Sequence, residues 1–235
     1  MTSDSFDPPT SSSPPKDAIT AIDNQQNTAD NNDKTTVMSG RFRGFMPVVV
    51  DVETSGFDAQ KNALLEISAV ILNTTQNGVL YIDDQITYPV APFAGALLDP
   101  SALAFTGIDP KREALTEADA LKKIFQKVRT ALKKTACTRA ILVGHNSHFD
   151  LGFIKAAIQR AGIKRNPFHP FSCFDTVSLA GMAFGQTVLS RACAAAEIEF
   201  EPQQAHCAHY DARKTAELFC HIVNDWQRLK QTPNR

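Results

Sequence analysis

The pattern of apolar positions divides the chain into strands first and helices later. The valine-rich run at residues 48–54 is β-branched and predicts a buried strand. Apolar segments at residues 63–72 and 79–90 predict two further strands, separated by the turn signal Asn77-Gly78. Short connections between these three strands favour an antiparallel meander. A fourth buried strand is predicted at residues 140–144.

Helical signals dominate the second half of the chain. Asp99-Pro100 is typical of a helix start, with Asp as the N-cap and Pro in the first position. Thr116 and Asp119 have the spacing of a capping box and predict a helix to about residue 134. Further helices are predicted at about residues 150–161, 176–184, 188–196 and 210–229, and residues 164–171 are expected to form a rigid basic and aromatic loop. This order predicts an α/β sheet with a mixed edge.

Composition separates an N-terminal tail from one folded domain. Residues 1–40 are rich in Ser, Pro, Asp, Asn, Gln and Thr. Such a segment cannot bury enough apolar area to offset its chain entropy, so we expect a disordered tail. Residues 41–235 are then expected to form a single domain, with no internal repeat and no second domain.

The net charge of −1 conceals an asymmetry between the two regions. Residues 1–40 contain six Asp and two Lys, which leaves 22 basic and 19 acidic residues for the rest of the chain. A basic outer surface is consistent with a polyanionic partner. The lysine-rich face of the helix at residues 116–134 has two interpretations, a solvated face or a phosphate-binding surface.

Several classes of protein are disfavoured by the sequence. No apolar run approaches the roughly 20 residues of a membrane span, and the N-terminus lacks the pattern of a signal peptide. The five cysteines are odd in number and form no C-x-x-C motif, which argues against a disulfide framework. We therefore expect reduced thiols and a cytoplasmic protein without a membrane anchor.

Two acidic residues at the end of the first strand are the strongest chemical signal. Asp51 and Glu53 are separated by one residue, so in a strand their side chains project from the same face. Thr54-Ser55-Gly56 marks the end of the strand, and carboxyl ends of strands are where α/β sheets place their sites. The pair suits a hard cation such as Mg²⁺ or Mn²⁺. The alternative is an edge strand with a solvated acidic face.

Three further acidic residues occur at predicted helix starts. Asp150 follows the fourth strand, Asp175 precedes a helix, and Asp211 lies near the start of the last helix with His206 before it. Each Asp alone is explained as a helix cap. Together with Asp51 and Glu53 they fit phosphodiester hydrolysis, in which two divalent ions need several convergent carboxylates. A histidine with a pKa near neutrality suits the base that deprotonates the attacking water.

These residues resemble the motifs of a known enzyme family. Asp51-x-Glu53, Asn146-x-x-Phe149-Asp150 and His206-x-x-x-x-Asp211 are similar to the three exonuclease motifs of the DEDDh family. The resemblance extends to the bacterial ribonuclease T branch and covers about residues 41–230. It is carried by Arg-Phe-Arg-Gly-Phe at residues 41–45, Ala-Phe-Thr-Gly-Ile at 104–108, Arg-Asn-Pro-Phe-His-Pro-Phe at 165–171 and Gly-Gln-Thr-Val-Leu-Ser at 185–190.

The resemblance implies a fold, a reaction and a role for each acidic residue. The fold would be a ribonuclease H-like mixed five-stranded sheet flanked by helices, and the activity a 3′→5′ exonuclease with two Mg²⁺, or Mn²⁺, per active site. Asp51 would bridge both ions, Glu53 and Asp211 would complete one metal site, and Asp150 would support the other. His206 would be the general base and is counted with the four acids among the metal-site residues, and Asp175 is a supporting candidate.

The resemblance also assigns substrate contacts. Phe57, Phe105, Phe149 and Phe171 would stack on the terminal bases, although burial in the core is the simpler role for a phenylalanine. Ser101 departs from the family, because the relatives carry an acidic residue there. The family acts as a homodimer in which a basic patch of one subunit passes RNA to the other active site. The candidates for that patch are Arg41, Arg43, Lys133, Arg139 and Lys164.

The predicted function is a metal-dependent 3′→5′ exoribonuclease that trims short single-stranded 3′ tails of structured RNA. Its substrates would be tRNA precursors and other stable RNAs, its products nucleoside 5′-monophosphates, and single-stranded DNA could also be cut. One alternative is a DNA proofreading exonuclease or an oligoribonuclease, which the loop at residues 165–171 and the four phenylalanines disfavour. The other is a non-catalytic RNA-binding module, which the retention of all four carboxylates and His206 disfavours.

Overall fold

The computed structural model describes residues 36–231, and five strands of this part of the chain form one mixed sheet in the order β3-β2-β1-β4-β5. The predicted ribonuclease H-like α/β sheet is therefore confirmed. The strands are β1 (Phe45–Thr54), β2 (Leu64–Thr74), β3 (Leu80–Pro89), β4 (Arg139–Gly144) and β5 (Phe168–Asp175).

Six α-helices surround the sheet in the described residues. They are α1 (Pro100–Thr106), α2 (Glu117–Lys134), α3 (Ser147–Arg160), α4 (Thr176–Phe184), α5 (Leu189–Ala195) and α6 (Ala208–Gln231). Short 3₁₀ turns occur at Phe42–Gly44 and Pro202–Gln204. None of the helices within residues 36–231 combines the length and apolar character that crossing a membrane requires.

The valine-rich strand β1 lies in the middle of the sheet. It pairs antiparallel with β2, which in turn pairs antiparallel with β3, so the predicted meander is confirmed. On its other side β1 runs parallel to β4, from the pair Phe45/Arg139 to the pair Val49/Val143. A strand flanked on both sides and covered on both faces requires a nearly continuous apolar run. The alternative of an edge strand with a solvated acidic face is therefore wrong.

Helices complete the core on either side of this strand. Helix α6 packs across β1, β2 and β3, while α2 and α3 contact each other and the sheet. The largest buried side chains include Phe125, Phe153, Phe168 and Phe219, each of which contributes about 2–3 kcal/mol by leaving water. Helices α4 and α5 pack against α6 and share with it a second, smaller apolar cluster.

Helix starts follow the predicted caps in three cases. The side chain of Asp99 accepts a hydrogen bond from the Ser101 backbone N–H, and that of Thr116 accepts one from the Asp119 N–H. Asp175 caps α4 in the same way. Two helices begin earlier than predicted, α3 at Ser147 and α6 at Ala208. Asp150 and Asp211 lie in the first turn of these helices, so the prediction that both acids stand at helix starts agrees with the structure.

The loop predicted at residues 164–171 is only partly correct, because β5 begins at Phe168. The prolines at positions 167 and 170 argue against a strand in the middle of a sheet, but an edge strand tolerates them. The pairing is also irregular, since Ala140 faces Phe168 whereas Leu142 faces Cys173. The extra residues of β5 between these pairs form a bulge that the sequence pattern does not reveal.

The folded region begins before Arg41. Residues 1–35, the greater part of the predicted tail, lie outside the described residues, but residues 36–40 fold onto the domain. The side chain of Met38 is only 1% exposed and belongs to the main core, and the Thr36 hydroxyl donates a hydrogen bond to the Thr135 carbonyl. The predicted boundary at residue 41 therefore falls inside a packed segment. Met38 packs in the core, but the polar residues around it in the sequence give no sign of a buried position.

Replacing Met38 with Ala should lower the free energy of unfolding by about 2–4 kcal/mol, since a buried side chain would leave a cavity. Val37→Ala is the matched control, because Val37 is 43% exposed and should change stability by less than about 1 kcal/mol. Chemical denaturation of both variants measures the difference. Equal effects of the two substitutions would place the boundary at residue 41 after all.

Candidate active site

Four carboxylates converge at the carboxyl end of β1. Asp51 and Glu53 lie on β1, Asp150 lies in the first turn of α3, and Asp211 lies in the first turn of α6. One carboxylate oxygen of Asp150 accepts a hydrogen bond of 3.1 Å from the backbone N–H of Val52. Val52 is the residue between Asp51 and Glu53, so this bond fixes Asp150 beside the pair.

The turn between β4 and α3 allows Asp150 to come this close. A Cβ atom on Gly144 would lie 3.0 Å from the other carboxylate oxygen of Asp150 and 3.0 Å from the Cα atom of Ser147. Asn146, at the start of α3, has a φ of 69°, in the left-handed region that Asn tolerates better than most residues. A glycine and an asparagine at these positions therefore make the tight turn possible.

Burial and mutual repulsion disfavour the charged forms of these acids. Burial raises the pKa of Asp51 well above its usual value, and the charges of Asp150, Glu53 and Asp211 raise it further. The pKa of Glu53 is raised to about 7, first by burial and then by the charges of Asp211 and Glu66. Burial likewise raises the pKa of Asp150 and of Asp211. Four acids with raised pKa values need a compensating positive charge in order to ionise together.

The donor set fits a hard divalent cation. Carboxylate oxygens are the ligands that Mg²⁺ and Mn²⁺ prefer, and one oxygen of Asp211 is buried without a hydrogen-bond partner. Within residues 36–231 no three His, Cys, Asp or Glu side chains are already grouped around a single point as metal ligands. The four carboxylates nevertheless converge from three separate segments, β1, α3 and α6, and interact electrostatically with one another.

His206 lies at the rim of this site. Its backbone N–H donates a hydrogen bond of 3.0 Å to a carboxylate oxygen of Asp211, which opposes the effect of burial on the pKa of Asp211. Its φ of 66° is in the left-handed region, and its side chain is exposed. The imidazole ring contacts Phe105, with 4.1 Å between ring centroids. An exposed imidazole beside the carboxylates is accessible to water and substrate.

Three of the four predicted aromatic residues gather near the carboxylates. Phe57 is 87% exposed and contacts the half-buried Phe149, which adjoins Asp150, at 6.2 Å between centroids. Phe105 is 65% exposed and lies against His206. Their exposure makes Phe57 and Phe105 surface rings rather than core residues. Exposing an apolar ring to water is costly, so these rings indicate a surface that binds a partner.

Phe171 is separated from these three rings. It is 72% exposed and contacts His169 at 4.6 Å between centroids, and His169 contacts Phe45 at the beginning of β1. Among the described contacts, none joins Phe171 to the other rings or to the carboxylates. Phe171 lies in the bulge of β5, between the residues that pair with Ala140 and Leu142. The position of Phe171 in the sequence does not predict this location.

Two of the five predicted basic residues, Arg43 and Arg139, lie at the other end of β1. Arg43 stacks on Phe45 at 5.9 Å, and Arg139 faces Phe45 across the β1–β4 pair. Lys133 and Lys164 are exposed, in the last turn of α2 and before β5, whereas Arg41 donates a hydrogen bond to the Gly78 carbonyl. Phe45 and Asp51 are six positions apart on β1, which corresponds to about 20 Å along the strand.

The remaining acidic candidate has a mainly structural role. One carboxylate oxygen of Asp175 accepts hydrogen bonds from the backbone N–H groups of Val177 at 2.8 Å and Asn146 at 3.3 Å. These bonds cap α4 and hold the start of α3. The charge of Asp175 also raises the pKa of Asp150, so the residue affects the site from a distance.

The sequence analysis overlooked a supporting pair, Glu66 and Arg112. Glu66 faces Glu53 across the β1–β2 pair and raises its pKa. The guanidinium of Arg112 binds the Glu66 carboxylate at 2.9 Å and the Leu65 carbonyl at 3.0 Å. Residues 53 and 66 meet only because of the strand register. The sequence predicted that β1 and β2 are antiparallel neighbours, but it did not define which residues of the two strands face each other.

Comparison with known proteins agrees with this architecture. The RNase_T exonuclease family model matches residues 48–219. Ribonuclease T of Hahella chejuensis (strain KCTC 2396) is 56% identical over 195 residues, covering 82% of this chain and 89% of that protein. Ribonuclease T of Yersinia enterocolitica (serotype O:8 / biotype 1B) is 54% identical over 208 residues, covering 87% and 96%.

Solved structures show the same fold at lower identity. The nuclease domain of 3′hExo, a DEDDh family member bound to rAMP, has a TM-score of 0.61 at 21% identity and covers 76% of this chain and 92% of that one. The zinc-bound complex of E. coli ExoI with single-stranded DNA has a TM-score of 0.59 at 18% identity. It covers 79% of this chain, which spans only 42% of the ExoI chain.

The sheet order and the match to the exonuclease family define the class of this protein, a 3′→5′ exonuclease with a ribonuclease H-like fold. The chain belongs to the ribonuclease T family and is a 3′→5′ exoribonuclease. Exonucleases of this family depend on metal ions.

The raised pKa of Glu53 predicts how metal-free stability depends on pH. The folded protein retains a proton up to a pH of about 7, whereas the unfolded chain releases it near its ordinary pKa of 4.5. Stability should therefore fall as the pH rises through this window. Glu53→Gln removes the penalty and should raise metal-free stability at pH 8 by on the order of 2 kcal/mol, with little change at pH 4.

Thermal unfolding with and without Mg²⁺ tests this expectation. Wild-type protein should gain stability from the ion by mass action, and the Gln variant should lose most of that gain. Glu199→Gln, at an exposed position, is the matched control and should behave as wild type. A Glu53→Gln variant that is no more stable at pH 8 and keeps the full response to Mg²⁺ would contradict the assignment.

Proposed function

We propose that this exoribonuclease trims short single-stranded 3′ tails of structured RNA, such as tRNA precursors and other stable RNAs, and releases nucleoside 5′-monophosphates. The observation that carries the proposal is the position of exposed aromatic rings directly beside the carboxylates. Phe105 touches His206, and Phe57 touches Phe149 next to Asp150. Rings that protrude into water at a phosphodiester-cleaving site suit unstacked bases.

The four acids would hold two Mg²⁺ ions, with Mn²⁺ as an alternative. Asp51 is the bridging candidate, because it interacts electrostatically with all three other acids, Asp150, Glu53 and Asp211. When bound, such ions neutralise charge on the phosphate and promote formation of the nucleophile. The related ExoI structure with bound zinc supports a metal site in this fold.

His206 would accept the proton of the attacking water. Its side chain is exposed, and its position is held through the backbone bond to Asp211 rather than through the ring. Both ring nitrogens therefore remain available for proton transfer. A base on a short loop can approach the water without competing with the carboxylates for the ions.

The aromatic rings would restrict the enzyme to single-stranded 3′ ends. Stacking on Phe57, Phe105 and Phe149 is worth about 1–3 kcal/mol per base, but it needs bases that are free of a duplex. Digestion should therefore slow near a stem. Stacking requires no 2′-OH, so single-stranded DNA should also be cut, and the E. coli ExoI complex with single-stranded DNA supports this for the fold.

A homodimer would bring the basic patch and the carboxylates together on one RNA. Within a protomer Arg43 and Arg139 of the patch lie about 20 Å from Asp51, at the opposite end of β1. An arrangement in which Arg43, Arg139 and Lys164 of one protomer hold the stem for the other protomer would remove this separation. Phosphate contacts of this kind should weaken steeply with salt.

The free cysteines among residues 36–231 support a reducing, cytoplasmic location for this activity. Cys137, Cys193 and Cys220 are buried thiols without a disulfide, and burial raises the pKa of each. A raised pKa keeps these thiols protonated and unreactive, so they pack as small apolar residues.

A 5′-labelled RNA hairpin with a short 3′ tail tests the proposed function. With Mg²⁺, wild-type protein should produce a ladder that shortens from the 3′ end and stops near the stem. Asp51→Asn should abolish turnover while retaining RNA binding, because the substitution removes a metal ligand and reduces negative charge. Bound but intact RNA with wild-type protein would indicate a non-catalytic binding module, and digestion through the stem would refute the single-strand preference.

His206→Ala should lower kcat by about 10²- to 10⁴-fold, the usual contribution of a general base. His209→Ala is a close control, since His209 is also exposed and lies three residues away, but its ring contacts the Thr87 hydroxyl at 3.1 Å. Single-turnover cleavage at saturating protein measures the chemical step. Comparable losses in both variants would mean that His206 has no special role.

A further inference from the structure

The exposed ring of Phe57 lies on a loop that is unusually well anchored. Residues 55–63 connect β1 to β2, and a ring that is 87% exposed gains little from packing that would hold it in place. The anchor lies at the other end of the loop. Asn62 is only 8% exposed, which is rare for an asparagine, and buried amides require partners for every polar atom.

Both the nitrogen and the oxygen of the Asn62 side-chain amide make hydrogen bonds. Its nitrogen donates to the carbonyls of Ser55 and Leu97, each at 3.0 Å, and its oxygen accepts a hydrogen bond of 2.9 Å from the backbone N–H of Asp58. Ser55 and Asp58 flank Gly56 and Phe57 in the sequence. The amide therefore holds both sides of the short segment that carries the ring.

Gly56 allows the loop to close over this amide. A Cβ atom at position 56 would lie 2.5 Å from the side-chain carbon and nitrogen of Asn62, and the φ of Gly56 is 147°. No other residue fits this position without displacing Asn62. The pair fixes the direction in which Phe57 leaves the backbone.

The same amide connects this loop to the segment that carries Phe105. Its partner Leu97 also accepts a hydrogen bond of 2.7 Å from the Ser55 hydroxyl, and the Asp99 N–H donates to the Ser55 carbonyl at 2.9 Å. Asp99 is the N-cap of α1, and Phe105 lies in the last turn of that helix. Two loops that are distant in the sequence are thus joined at one point.

We propose that Asn62 is a positioning residue that sets the spacing between Phe57 and Phe105 and thereby determines how well terminal bases stack at the active site. The inference rests on the proposed function, because it assigns a purpose to rings that are proposed to bind bases. Asn62 touches neither substrate nor carboxylate. Its effect is transmitted through backbone bonds to Ser55, Asp58 and Leu97.

Asn62→Ala should lower kcat/KM on a single-stranded RNA tail by about 10- to 100-fold, as expected if stacking on the two rings is impaired. A tail whose last two nucleotides are abasic offers nothing to stack, so wild type and variant should cleave it equally. Asn62→Asp should behave like the Ala variant, because a carboxylate would face two carbonyl oxygens without donors.

Asn224→Ala is the matched control. Asn224 also makes two hydrogen bonds between elements, from α6 to the N–H and carbonyl of Leu80, but it touches neither aromatic loop. Its loss should lower the melting temperature and leave kcat/KM unchanged. If Asn62→Ala does not fold, Ser55→Ala removes the bond to the Leu97 carbonyl and the bond from the Ala63 N–H, and should give a smaller loss of the same kind because the Asn62 amide keeps its own bonds.

The Phe57→Ala/Phe105→Ala background separates positioning from a general structural effect. Adding Asn62→Ala to this double variant should change kcat/KM by less than about twofold, since the rings through which Asn62 acts are absent. A full additional loss there, or an equal loss on the abasic tail, would overturn the inference. If the double variant itself trims as fast as wild type, the proposed role of the rings fails, and this inference fails with it.

Discussion

Electrostatic repulsion among four buried or half-buried carboxylates is the constraint around which this structure is arranged. Asp51, Glu53, Asp150 and Asp211 are brought together where burial alone already raises their pKa values. A pKa of about 7 for Glu53 corresponds to a penalty of about 3 kcal/mol for its charged form. The fold tolerates this penalty because the central strand and its helices are held by a large apolar core, and a bound cation would remove it.

The central position of β1 explains how the rest of the site is organised. Its carboxyl end presents Asp51 and Glu53, and the Val52 N–H aligns Asp150 with them. The loop after β1 carries Phe57, so a ring proposed to stack on bases and the acids proposed to bind metal share one end of one strand. Its amino end carries the basic surface around Phe45. The carboxylates and the predicted phosphate contacts thus lie at opposite ends of one strand. This separation is the reason for proposing that a second protomer supplies the phosphate contacts.

Local sequence patterns were sufficient for four of the five strands, for the helices and for the central acids. Alternation in a strand places Asp51 and Glu53 on one face whatever the partner strands are. Caps at Asp99, Thr116 and Asp175 depend on hydrogen bonds within three residues, and all three occur in the structure. The resemblance of three motifs to the DEDDh family then indicated the mixed five-stranded sheet, which no local rule could have supplied.

The sequence by itself therefore determined the order of the helices and of the first four strands, the acidic pair on β1 and the family. Only the tertiary structure decided that Glu66 faces Glu53, that Asn62 joins two aromatic loops, that Met38 belongs to the core, and that Phe171 lies with His169 away from the other rings. Each of these depends on strand register, on a bulge or on contacts between residues distant in the sequence. Such contacts are selected by the packing of the whole core, and no short window of residues encodes them.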